Sequence, residues 1–348
     1  MIDINKFLIK ENNTIKSALH SLSLVGHDTI LFVVNEKNQL KGSITDGDIR
    51  RGLLNGLGIN DNLNLTLNKL TKYIKEDNYS INDILEFRNK NITVFPVLDE
   101  NDVVINIINF RDKKSFLPID VVIMAGGKGL RLKPLTDHLP KPLLKINNKC
   151  VVDYNFDRLI DYGVENFFVS VNYLGNLLEK HFDDRKKTGI NTKIIYENEP
   201  LGTVGSVSKI KEFKNDYVLI TNSDILTNIN YEDFFIDFIK NDADMSVASV
   251  PYETEIPYAV IKTNGNVVES FEEKPIYTYY SNGGIYLIKK HLLNKIPKNK
   301  FYDATDLMQA LLDDNLKLIN YPLKCYWVDI GKPKDLKKAK NDINQIQL

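Results

Sequence analysis

Midway along the chain an apolar run, Asp120-Val-Val-Ile-Met124, passes without a spacer into Ala125-Gly-Gly-Lys-Gly-Leu-Arg131. A strand that delivers its carboxyl end into a glycine loop commits the following chain to an α/β arrangement, since open sheets bind ligands at such ends and carry helices on their faces. The residues that follow keep to this pattern. β-rich runs at 166–171, 192–196, 217–220 and 245–250 alternate with helical stretches at 151–162, 174–182 and 231–240, as successive βαβ units do. Later runs at 258–263, 267–271 and 284–288 crowd together around Asn-Gly turns, which predicts an antiparallel hairpin region and therefore a mixed sheet.

Upstream, the first 115 or so residues repeat themselves. Ile30-Leu-Phe-Val-Val34 and the Gly42–Asp48 stretch recur 64 positions later as Val94-Phe-Pro-Val-Leu98 and Asn106–Asp112, so that Thr45 aligns with Asn109 and Asp48 with Asp112. Each copy predicts a strand, a polar turn, a second strand and a helix start capped by Thr or Asn. The first copy, Gly42-Ser-Ile-Thr-Asp-Gly-Asp48, resembles the ending of a CBS module, and the resemblance spans about residues 1–115 as a tandem pair. It implies an α+β regulatory module at 1–115 and nominates Thr45 and Asp48 for the ribose and phosphates of an adenine nucleotide. Alternatively, the same two residues form a capping box that binds nothing. The second copy departs further, with Asn106 and Asn109 where Gly and Thr are usual. A boundary is expected at Phe116-Leu-Pro118, with a second, α/β domain at 119–348.

Composition narrows the function classes. Lys plus Arg (45) nearly cancel Asp plus Glu (46), so the chain lacks the global field of a nucleic-acid or membrane-surface binder, and any polyanion is handled locally. Two cysteines make no disulfide framework or four-ligand zinc site, and no apolar run reaches the roughly 20 residues of a membrane span. A cytoplasmic protein without nucleic-acid or membrane partners is expected. The basic run 332–340 reads as a solvated helix face.

The glycine loop itself is neither a P-loop, since no Gly-Lys-Ser/Thr closes it, nor a dinucleotide fingerprint, since Leu132 stands at the third glycine. Gly126, Gly127 and Gly129 allow backbone N–H groups close to a polyphosphate, Arg131 offers a two-pronged clamp, and Pro140-Lys141-Pro142 fixes a lysine nearby. The string Gly-Gly-x-Gly-x-Arg followed by Lys-Pro closely resembles the motif of sugar-1-phosphate nucleotidyltransferases. That family implies a Rossmann-like, GT-A-like mixed sheet and transfer of a nucleotidyl group from an NTP to a sugar-1-phosphate, with release of pyrophosphate. By the same resemblance, Ala125, Gly126, Gly127, Gly129 and Gly202 hold the nucleotide, Arg131 and Lys141 its phosphates, and Asp224 with Asp329 one Mg²⁺. Glu273 and Lys274, in a Glu-Lys-Pro element, together with Gly283 and Asn172 serve the sugar phosphate.

In uridylyl and thymidylyl relatives a Gln commonly stands five residues before the glycine matching Gly202; here that position is Glu197. Guanine offers two adjacent donors, which an acceptor-only carboxylate suits, so GTP is the favoured nucleotide. The sugar stays open among hexose, hexosamine and heptose phosphates. Other readings are a uridylyl- or thymidylyltransferase, a CBS nucleotide sensor with an inactive transferase domain, and a glycosyltransferase that consumes NDP-sugars. A homo-oligomer is expected. Because the sequence stops soon after Asp329, no hexapeptide β-helix and no acyltransferase activity are expected.

Overall fold

Each copy of the repeat folds as a three-stranded sheet because its apolar runs are β-branched and separated by polar turns. In a computed structural model describing residues 3–76, 80–186 and 189–346, the first sheet comprises Leu8–Lys10, Ile30–Val34 and Leu40–Thr45, and the second Ile74–Lys75, Val94–Leu98 and Val104–Asn109. In both, the first pair is parallel and the second antiparallel, and both carry a bulge at the equivalent step, Val33/Val34 and Val97/Leu98. Phe32 and Val34 of one copy share a buried cluster with Val94, Leu98, Val104 and Ile107 of the other.

The copies differ at their ends. Helix Asp46–Leu54 follows the first, capped by Thr45 and Asp48 as a reciprocal box. No helix follows the second among the described residues, contrary to the sequence expectation. Asn109 is buried and splits its amide between the Arg111 N–H (2.9 Å) and Asp28 (3.0 Å). Phe110 and Phe116 then pack edge-on in series with Phe95, and Pro118 lies close behind. One turn is all that fits before these aromatic anchors draw the chain back onto the core.

Contacts divide the chain into Met1–Phe116 and Leu117–Leu348. In the second unit a seven-stranded sheet has the order Asn191–Tyr196, Asn166–Val171, Ile119–Met124, Tyr217–Asn222, Ile276–Lys289, Met245–Glu255, Leu318–Pro322. All strands run parallel except Ile276–Lys289, which makes the sheet mixed. Val121, Val122 and Ile123 are all buried, as befits a central strand covered on both faces. Helices Val151–Asp161, Gly175–Asp184, Tyr231–Lys240 and Ala304–Asp313 supply covers, while Pro333–Asp342 buries Leu336 and Ala339 against Leu226 and Val328 beside the sheet.

Two further features shape the end of this sheet where the strands point. A small antiparallel pair, Ile225–Thr227 with Trp327–Asp329, places Ile225 opposite Asp329. The long ribbon of Met245–Glu255 with Ile276–Lys289 breaks register where Gly283 and Gly284 bulge out opposite the Ala248/Ser249 step. Both glycines are required there: a Cβ at 283 would meet the Ala248 carbonyl at 2.6 Å, and one at 284, where φ is +70°, would meet Asn222 at 2.7 Å. Beyond the bulge the ribbon leads to a hairpin, Val260–Asn264 with Val267–Glu272, turning at Gly265. Among the described residues no helix is long and apolar enough to cross a membrane.

Candidate functional site

Strand Ile119–Met124 ends at Ala125, whose N–H donates to the Ser170 carbonyl at 2.8 Å. Thereafter the backbone leaves the ladder. The N–H groups of Gly126, Gly127, Lys128 and Gly129 have no hydrogen-bond partner among the described residues, so four successive donors are left for a ligand or water. Gly129 is left-handed (φ +62°), and a Cβ there would press on Thr136 at 3.0 Å and on Lys141 at 3.2 Å. That close approach explains how the glycine loop and the Pro-Lys-Pro segment come together. Both line a cavity with Ala125, Gly126, Gly127, Lys141, Glu197, Gly202 and Asp224.

At one side of this cavity, the Lys141 ammonium is ion-paired to Asp224 and lies 3.4 Å from Asp329. Burial, then the neighbouring Asp224 charge, push the Asp329 carboxyl above the usual carboxylate range, while Lys141 and Arg131 pull the other way. Two carboxylates that a single ammonium reaches at once fit a small hard cation sharing them with phosphate oxygens, so the residues fit Mg²⁺. Arg131 is exposed and forms no ion pair among the described residues; its guanidinium lies where a Cβ on Gly331 would approach it at 3.2 Å. It is therefore beside Asp329 and unengaged.

The two aspartates are held from behind. Helix Val151–Asp161 sends Asn155 to the Ile225 carbonyl (2.6 Å) and Arg158 to the carbonyls of Thr227 and Ile229, which fixes the short strand that follows Asp224. Arg158 is buried, and its charge rests on those carbonyls and on the Tyr231 ring. Arg158→Met keeps the bulk and removes those bonds. It is expected to lower unfolding free energy by about 3 kcal/mol, read from urea denaturation.

Glu197 stands opposite Gly126, whose Cβ would come within 3.0 Å of its Oε1. Ser170 Oγ donates to Oε1 at 2.5 Å and the Leu201 N–H donates to Oε2 at 3.0 Å, so the carboxylate is fixed by two donors at the cavity wall. Gly202 (φ +78°) pins the same loop, because a Cβ there would strike the Tyr302 carbonyl at 2.7 Å.

A second cavity adjoins the first through Thr203, Asn222 and Asp303, and is further lined by Ile225, Gly283, Gly284, Trp327 and Asp329. Trp327 donates its indole N–H to the Gly283 carbonyl at 2.9 Å, locking the bulge against the strand that carries Asp329. Asp303 caps helix Ala304–Asp313 and accepts from both the N–H and hydroxyl of Thr203, each at 2.9 Å.

The structure thus gathers Ala125, Gly126, Gly127, Lys141, Glu197, Gly202, Asp224, Gly283 and Asp329 around two joined cavities, with Gly129 behind Lys141 and Arg131 beside Asp329. Three residues nominated for the sugar phosphate lie elsewhere. Asn172 sits on the first cavity's side, where it donates to the Glu197 carbonyl at 2.8 Å and so braces the Glu197 loop. Glu273 and Lys274 are exposed at the far end of the ribbon, seven strand residues before Gly283, or about 23 Å along the strand. The acid engaged there is instead Glu272, paired with Lys262 at 2.6 Å. Thr45 and Asp48 bond to each other (2.6 Å) and Asp48 to Arg51 (2.6 Å), the capping-box arrangement. Sequence reasoning missed Asn155, Arg158, Asn222, Thr203 and Asp303; only the last had a visible signal, the Asp303-x-x-Asp306 spacing ahead of an apolar helix. Among the described residues one other group of metal-type side chains occurs, Cys150 at the N-cap of helix Val151–Asp161 with Asp153 and His181, and Asp153 is already paired to His181 and Arg185.

The Nucleotidyl transferase family model matches residues 120–346, which is more than half of the chain. The chain belongs to the nucleotidyl transferase family. Among its curated relatives, the chain is 29% identical over 223 residues to mannose-1-phosphate guanyltransferase beta-A of Xenopus laevis, covering 62% of this chain and 61% of the relative. It is 29% identical over 228 residues to D-glycero-alpha-D-manno-heptose 1-phosphate guanylyltransferase of Aneurinibacillus thermoaerophilus, covering 65% of this chain and 98% of the relative. The chain thus spans about three fifths of the length of the mannose-1-phosphate relatives it matches. Among solved structures, HddC from Yersinia pseudotuberculosis, complexed with GMP-PN, aligns with a TM-score of 0.50 and 27% identity over 64% of this chain and 99% of that one.

Proposed function

We propose that the second unit is a sugar-1-phosphate guanylyltransferase, converting GTP and a hexose or heptose 1-phosphate to GDP-sugar and pyrophosphate. The observation that carries this reading is the run of four unpaired N–H groups at Gly126–Gly129 beside Lys141, Asp224 and Asp329. Guanylyl chemistry draws support from the relatives, whose names specify guanylyl transfer to mannose and heptose 1-phosphates, and from Glu197.

In the proposed reaction the sugar phosphate, already an anion, attacks the α-phosphorus in line as pyrophosphate leaves, so the protein has charge to neutralise and no proton to remove. The loop N–H groups and Arg131 receive the triphosphate, with Arg131 on the leaving pyrophosphate. Lys141 holds the α-phosphate. Asp224 and Asp329 would hold Mg²⁺, which supplies positive charge to the phosphate oxygens. The second cavity, with Asp303, Thr203 and the Gly283-Gly284 bulge, takes the sugar. Lys274 enters the reading only if the ribbon brings it inward on binding.

Glu197 supports guanine because Ser170 and Leu201 donate to it, leaving acceptor lone pairs for the base N1–H and 2-amino groups. Glu197→Gln tests this. A Gln must keep its oxygen on the Leu201 N–H, turning its amide toward Ser170, whose hydroxyl is able to accept. The variant is expected to lose GTP kcat/KM by roughly 10²-fold and to gain relative activity with UTP, since a buried mismatch of donors is costly. An unchanged GTP-to-UTP ratio contradicts the assignment.

For Met1–Phe116, the 64-residue offset of two like-built sheets with a shared core supports a CBS-type pair. The reciprocal Thr45–Asp48 bonding favours a structural cap over a nucleotide contact at those residues.

A further inference from the structure

Lys141 occupies the position between Asp224 and Asp329 where a divalent cation would share their oxygens. We propose that Lys141 is the resident counter-ion of this carboxylate pair, so that a metal ion and the lysine ammonium exclude one another and the metal binds well only once Lys141 has moved to a phosphate. The inference rests on the reading of Asp224 and Asp329 as cation ligands, and adds to it a rule for when they are available.

Three observations converge on it. The ammonium is paired directly to Asp224 and reaches Asp329 at 3.4 Å, so both carboxylates lean on one charge. Lys141 is buried at 9% exposure, stiffened by Pro140 and Pro142, and packed against Gly129; it is an element of the wall rather than a surface lysine that swings in by chance. No other cation pairs with either aspartate among the described residues, and Arg131 beside Asp329 remains outside ion-pair distance. Removing Lys141 therefore leaves two neighbouring carboxylates without an intramolecular partner, an arrangement that attracts a divalent ion strongly. With Lys141 in place, the ion must displace a buried positive charge, and the natural destination for that charge is the α-phosphate of an incoming nucleotide. Lysine suits the task better than arginine, because a compact ammonium on a flexible stem moves between oxygen sets without a fixed fork to realign.

The test uses the full chain without nucleotide and Mn²⁺ as the probe, with free Mn²⁺ read by electron paramagnetic resonance. Lys141→Met and Lys141→Gln are both measured, each checked for a cooperative thermal melt, so that one unstable variant does not end the experiment. The expected result is Mn²⁺ binding at least about ten-fold tighter in either variant than in the unmodified chain, with a larger rise in Tm on adding Mn²⁺. Binding that is equal or weaker in a folded Lys141 variant overturns the proposal. Adding Asp224→Asn to Lys141→Met should abolish the gain. If the gain persists in that double variant, the carboxylate assignment has failed as well, which distinguishes the two failures. Neither outcome depends on which nucleotide the enzyme uses.

Discussion

Asp224→Asn is expected to lower kcat by about 10²–10³-fold in a protein that still melts cooperatively. Asn keeps the shape and the polar surface of the side chain, and the strand that follows is held through its carbonyls by Asn155 and Arg158 of helix Val151–Asp161 rather than by the carboxylate. What it loses is one negative charge out of two. Lys141 is then left with Asp329 alone, at 3.4 Å, and the cation position loses half of its ligand charge. Turnover therefore falls through the chemical step, not through unfolding. Steady-state pyrophosphate release at saturating Mg²⁺, with a parallel melt, checks both halves. A folded Asp224→Asn protein with near-normal turnover contradicts the role.

Arg131→Ala is expected to cost a comparable 10²–10³-fold in kcat/KM, by a different route. The guanidinium is exposed and unpaired among the described residues, so its removal breaks no ion pair there and stability should change by less than about 0.5 kcal/mol. An arginine kept without a carboxylate partner beside a phosphate loop has its planar fork free for oxygens that arrive with substrate. Arg131→Lys should recover only part of the loss, because an ammonium presents a point charge instead of two parallel donors. Full activity in Arg131→Ala would remove it from the site.

How much of this was legible in the sequence depends on the range of the interaction. Helix Tyr231–Lys240 and strand Asn166–Val171 have the bounds read from their residue patterns, and the Asn264-Gly265 turn closes an antiparallel hairpin as expected, although that hairpin is a sheet of its own and the large sheet is mixed through Ile276–Lys289. The glycine loop pointed to its own partners because Gly, Arg and Pro-Lys-Pro lie within 17 residues, from Gly126 to Pro142. The supports behind it were not legible. Arg158 bonds to carbonyls 69 and 71 positions away, and a buried arginine in a helix looks the same in sequence as an exposed one. The bond that Asn172 makes was hidden for a similar reason: its strand end faces the Glu197 loop across the sheet edge, a relation set by strand order rather than by spacing. The missing helix after Asn109 was a failure of local reasoning. The cap residue was present, but Phe110 and Phe116 had a stronger claim on the chain through aromatic packing. Glu273 and Lys274 matched a motif while the ribbon carries them beyond the cavities, so a motif alone did not locate them.

The central claim, guanylyl transfer governed by Glu197, is tested most directly by one competition measurement. Pyrophosphate release is followed with GTP, UTP, dTTP, CTP and ATP in turn, against mannose 1-phosphate and a heptose 1-phosphate, in the presence of Mg²⁺. The account predicts that GTP has the highest kcat/KM with whichever sugar phosphate is accepted. UTP or dTTP turned over faster than GTP would contradict it.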